Sequence, residues 1–127
     1  MTRVSRAVTT MTLGVLLAAG SARAAPDLDA GKTGFDRECR FCHSLKPGEA
    51  GTGPSLARIF GRRAGSQDNF AYSAPIRDSK IVWTEVTLDA YLADPAMLGT
   101  EVNMCIPGIG DEKLRAAIIA FLKHEAR

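Results

Sequence analysis

Residues 39–43 read Cys-Arg-Phe-Cys-His. Two thiols at this spacing can form a redox disulfide, supply ligands to zinc, or add to the vinyl groups of a porphyrin. Structural zinc takes four protein ligands. Cys39 and Cys42 are two, and the other candidates, His43, Cys105 and His124, form no second compact pair. A thioredoxin-like pair sits at a helix start after a strand, whereas this pair follows a helical pattern in a chain without strand signals. A plain disulfide between Cys39 and Cys42 leaves His43 without a role. Covalent haem uses all three residues: each thiol forms a thioether with one vinyl group, and the adjacent histidine becomes the proximal ligand of the iron.

Iron held in this way needs a sixth ligand or keeps an open position. Beyond residue 24 the candidates are Met97, Met104 and His124. His124 lies at the end of the last helical pattern, among charged residues. Met97 follows Pro95 in a short turn. Met104 precedes Pro-Gly-Ile-Gly in a loop that can fold across a cofactor face, so it is the better candidate; the alternative is a flexible thioether filling the core.

These residues need elements to place them. Residues 26–39 read as a short helix, capped by Asp27 or Asp29, with Leu28, Gly31 and Phe35 on one face. Gly31 would let another backbone approach closely. Residues 43–80 are rich in glycine and proline and lack clean alternation, so they read as loop; a loop this long needs a body to pack around. Residues 84–95 form a helix capped by Thr84 and stopped by Pro95. Residues 111–126 form the clearest helix, with Leu114, Ala117, Ile118, Phe121 and Leu122 on one stripe and Asp111 and Glu112 at its positive end. The expected fold class is therefore all-α, with about three main helices and long loops. Aromatic residues make up only 6% of the chain, so the core would be thin without an internal apolar body such as a porphyrin.

The chain has 127 residues, enough for one domain. Residues 1–24 read as a cleaved signal peptide: Arg3 and Arg6, an apolar stretch from Val8 to Ala19, then Ala22-Arg23-Ala24 as an A-x-A site. The apolar stretch is short of the ~20 residues that span a bilayer, so no membrane anchor is expected after cleavage. Residues 25–127 form the single domain, expected to be exported to the periplasm and monomeric. They hold 13 basic and 14 acidic side chains, since residues 1–24 carry three of the 16 basic residues and none of the acids. That near-neutral balance argues against a nucleic-acid partner. In an oxidising compartment the odd thiol, Cys105, is read as a small buried hydrophobe beside the ligand loop, with an exposed thiol able to link two chains as the alternative.

Taken together, the chain resembles class I cytochromes c of the mitochondrial and short bacterial type. The resemblance rests on Gly31 to His43, on the loop Gly-Thr-Gly-Pro-Ser-Leu-Ala-Arg-Ile-Phe-Gly-Arg-Arg-Ala-Gly at 51–65, on Phe-Ala-Tyr-Ser at 70–73 and Ile-Val-Trp at 81–83, and on Thr87 to Pro95 followed by Met-Cys-Ile-Pro-Gly-Ile at 104–109. It implies a cytochrome c fold around one covalent haem c held through Cys39 and Cys42, with His43 and Met104 as the metal ligands. It further implies that the Pro54 carbonyl fixes the His43 imidazole, that Tyr72 and Trp83 donate to a haem propionate with Arg62 nearby, and that Tyr91 lies beside the Met104 sulfur. Gly31 and Phe35 would meet Ile118 and Phe121 where the first and last helices cross.

The implied function is one-electron transfer between redox proteins, such as an oxidase, a reaction centre or a dehydrogenase, and not catalysis. The alternative is a haem protein with a labile Met104, acting as a peroxidase-like enzyme or a gas sensor. Relatives with acidic partners often ring the exposed haem edge with lysines. Here the matching positions are Ala96, Met97, Asn103, Gly110 and Asp111, and Glu38 precedes Cys39, so a weakly charged docking rim including Met97 and Leu98 is expected. Ile76 stands where many relatives have asparagine.

Overall fold

The computed structural model describes residues 25–126; the signal-peptide expectation for residues 1–24 lies outside them. Among the described residues four α-helices form, α1 (Leu28–Glu38), α2 (Ala74–Asp78), α3 (Glu85–Ala93) and α4 (Glu112–Glu125), with a 3-10 turn at Pro95–Leu98 between the last two. Among the described residues extended pairing is confined to two isolated bridges, His43 with Ala50 and Arg63 with Val82. The all-α expectation stands.

Each long helix starts where its sequence allows. Asp27, not Asp29, caps α1 by accepting the Ala30 amide at 2.9 Å. Asp111 caps α4 by accepting the amides of Lys113 and Leu114 at 2.9 and 3.2 Å. Thr84 and Thr87 form a reciprocal capping box on α3, which satisfies two amide donors that the helix leaves orphaned. The short α2, with Pro75 in its first turn, falls inside the stretch expected to be loop. Its five residues are too few to display a helical period.

The packing centre is the crossing of α1 and α4. A Cβ at Gly31 would stand 2.2 Å from the Ala117 carbonyl oxygen, and one at Gly34 would stand 2.7 Å from Leu114 Cδ1. Two glycines therefore let the helix backbones approach closely. Beside them the Phe35 and Phe121 rings lie 5.5 Å apart at 44°, and Ile118 is fully buried. The loop between α1 and α2 is tied to the segment before α3: the amides of Gly61 and Ala64 donate to the carbonyls of Trp83 and Ile81, both at 2.8 Å, and the Trp83 amide donates to Arg62 at 2.9 Å. These bonds carry Trp83 into the core, on the lining of a central cavity.

Candidate haem site

Immediately after α1 the backbone makes one further turn. The Cys39 amide donates to Phe35, and the amides of Cys42 and His43 both donate to the Cys39 carbonyl, at 2.9, 3.1 and 3.0 Å. That turn brings Cys39, Cys42 and His43 onto the lining of one cavity of about 320 Å³, within the roughly 300–1,000 Å³ usual for small-molecule and cofactor sites. The cavity wall also includes Pro54, Arg62, Tyr72, Trp83, Tyr91 and Met104. Every residue expected at the site thus lies on the same cavity. Sequence reasoning did not single out the aliphatic wall, which includes Leu56, Ile59, Leu88, Leu92, Ile118 and Leu122. Helical periodicity marked some of these side chains as core, but not as facing a void.

His43 is held on both sides. Its Nδ1 lies 2.8 Å from the Pro54 carbonyl oxygen; a carbonyl only accepts, so Nδ1 carries the proton and Nε2 keeps its lone pair. Burial pushes the His43 pKa down, partly opposed by this hydrogen bond, which favours the neutral imidazole that can bind a metal. The ring lies against Gly53, where a Cβ would come 2.4 Å from Cε1. The sequence offered a signal for this in the Gly-Thr-Gly-Pro run, but the partner of the glycine is visible only in space. Burial, with help from Glu38 and Cys42, pushes the Cys39 thiol up to about 12, so it rests protonated.

Arg62 donates to the carbonyls of Ala57 and Ser55 at 2.8 and 2.9 Å. Among the described residues no carboxylate pairs with it, so a part-buried cation faces the cavity with its charge unmatched. Its charge draws the Tyr72 hydroxyl down while burial, the larger effect, pushes it up. Trp83 and Tyr91 pack with ring centroids 5.1 Å apart, and burial pushes Tyr91 up to about 12. Met104 lies in the loop between the 3-10 turn and α4 and is partly buried. An apolar cavity with two thiols, a tautomer-locked imidazole, a thioether and an unmatched cation fits a flat apolar cofactor bearing vinyl groups, an acceptor metal and acidic edge groups.

Two details differ from expectation. Cys105 is exposed rather than buried; it sits at the cavity rim, with its thiol beside that of Cys42. The reason is that Met104 and Ile106 are the inward neighbours along the loop, which turns Cys105 outward. Arg115, not singled out from sequence, is buried on α4 and bonds back to the loop that carries Met104. A charged residue inside an apolar helical stripe was the available signal.

The fold and this site define a haem-binding all-α protein. The family model described as Cytochrome c matches residues 28–125. The chain is 42% identical over 85 residues to cytochrome c2 iso-2 of Magnetospirillum fulvum, covering 67% of this chain and 88% of that one. It is 37% identical over 113 residues to cytochrome c2 of Blastochloris viridis, covering 88% of each, and 37% identical over 97 residues to cytochrome c of Tetrahymena pyriformis, covering 76% and 87%. The chain belongs to the cytochrome c family, and its cofactor is haem c.

Proposed function

We propose that this protein is an exported one-electron carrier whose haem is attached through Cys39 and Cys42 and ligated by His43 and Met104. The observation that carries the reading is the His43 arrangement. A neutral imidazole, its Nδ1 proton engaged by Pro54, offers Nε2 on the same cavity as both thiols. Similarity to named cytochromes c and c2 supports it.

When bound, haem supplies reversible exchange of one electron at its iron. The chain sets the conditions for that exchange. The Pro54 carbonyl orients the His43 ring and raises its basicity. The Met104 thioether favours the reduced state. The aliphatic walls disfavour the extra charge of the oxidised state. Tyr72, Trp83 and Arg62 would hold the acidic edge groups, with Tyr91 beside the Met104 sulfur. With the His43 imidazole and the Met104 thioether both engaged, the iron would offer no position to oxygen or peroxide, which favours electron carriage over catalysis. Its partners are redox proteins, and it acts as a monomer in the periplasm after residues 1–24 are removed.

Production of the full chain alongside haem-attachment machinery tests this reading. The purified protein should be coloured, show a c-type pyridine haemochrome, and resist carbon monoxide when reduced. Colourless material would overturn the haem attachment. Rapid carbon monoxide binding at neutral pH would instead favour the peroxidase-like or sensor reading.

A further inference from the structure

The stretch carrying Met104 is held mainly from its downstream end. Gly108, at φ 123°, lies so close to the Ala93 carbonyl that a Cβ would come 2.3 Å from its oxygen. The Ile109 amide donates to the Leu92 carbonyl at 2.8 Å. Arg115 reaches back from the first turns of α4. Its Nη1 donates to the carbonyls of Ile109 and Gly110 at 2.8 and 3.2 Å, and its Nε donates to Asp89 Oδ1 on α3 at 2.8 Å. One guanidinium therefore joins α3, α4 and the end of the loop. It is 9% exposed, whereas Asp89 remains partly open to solvent.

We infer that Arg115 is a positioning residue for Met104: through the Ile109 and Gly110 carbonyls it holds the loop closed, so that the thioether stays on the cavity. The inference rests on the proposed ligation by Met104. The physical reason is the rigid fork of the guanidinium, which can bond two successive carbonyls and a carboxylate at once. An ammonium on a flexible stem would meet fewer of these acceptors. Asp89 aligns the fork from the neighbouring helix, so releasing the downstream end of the loop requires a buried cation to give up its acceptors.

The test uses the holoprotein with Arg115→Met, which keeps the apolar stem and removes every donor, and Arg115→Lys. Phe35→Leu, at the α1–α4 crossing, serves as a comparison for general destabilisation. Three quantities are measured: amide exchange at Ile109 and Phe35, the temperature at which the methionine-to-iron absorption band disappears, and the rate of carbon monoxide binding to reduced protein. In Arg115→Met, protection at Ile109 should fall by about tenfold or more while Phe35 is unchanged, as for a local opening. The methionine band should disappear below the global unfolding temperature, and carbon monoxide should bind about tenfold faster. Arg115→Lys should fall between this variant and the parent, and Phe35→Leu should lose its band only with global unfolding.

If Arg115→Met loses Ile109 and Phe35 protection together, or keeps the parent's carbon monoxide rate, the inference is overturned. If Arg115→Met does not fold, Asp89→Asn and Arg115→Lys carry the same three measurements, with smaller shifts of the same kind expected and parental values overturning the inference. A parent protein without the methionine band would overturn the ligation reading and this inference with it. A parent with the band and an indistinguishable variant would overturn this inference alone.

Discussion

Gly53 shows how much a single position can depend on what lies opposite it. Its amide donates to the Cys42 carbonyl at 2.9 Å, and the His43 ring occupies the space its side chain would need. Gly53→Ala should therefore destabilise the holoprotein by about 1–3 kcal/mol, the usual cost of overpacking; equilibrium urea unfolding checks this, and an unchanged midpoint would show that the imidazole has room to move. Ile76 poses the opposite case. It is buried on the cavity wall, so Ile76→Asn would place an amide there at the expense of apolar burial. A loss on the order of 2 kcal/mol is expected in the same measurement. The residue types at 39, 42 and 43 were enough to name the chemistry. The outward-facing Cys105 was not legible, because inside or outside in a loop depends on which neighbour turns inward.

Among the elements, the α1–α4 crossing separates helix propensity from packing. Replacing a mid-helix glycine by alanine ordinarily favours a helix by about 1 kcal/mol. At Gly31 the added methyl would meet the Ala117 carbonyl at 2.2 Å, and the helices would have to part. Gly31→Ala is expected to destabilise, with the overpacking cost of about 1–3 kcal/mol outweighing the propensity gain. A rise in the thermal midpoint of the holoprotein would sink that account. Sequence periodicity placed the helices that became α1, α3 and α4, since apolar spacing and capping residues are local properties. It missed α2, whose single turn is held by its surroundings: Ile76 is buried in the core, and the Ser79 hydroxyl donates to the Ile76 carbonyl at 3.0 Å. Gly34, the second glycine of the crossing, was equally silent, because its use depends on Leu114 and Ile118 arriving from far along the chain.

For the whole molecule, the cavity bears on stability. Its wall is largely aliphatic, and without a cofactor those side chains would face water at about 25 cal/mol per Å² of apolar surface, against a total stability of ~5–15 kcal/mol for a small domain. The full chain produced without haem should accordingly lose most of its helical circular dichroism; a spectrum matching the holoprotein would refute this. The surface leads to a separate expectation. Residues 25–127 carry 13 basic and 14 acidic side chains, while Phe41 beside the cavity cysteines is 94% exposed and Met97 49%. Electron-transfer rates with partners should fall only mildly as ionic strength rises; a steep fall in stopped-flow rates would indicate charge-led docking. The sequence by itself determined the attachment chemistry, the helical class and the main helix starts, because these follow from residue type and short-range spacing. Only the tertiary structure decided that the His43 ring lies against Gly53, that among the described residues no carboxylate pairs with Arg62, and that Arg115 bonds the Ile109 and Gly110 carbonyls. Each of these depends on distances between segments that local pattern does not encode.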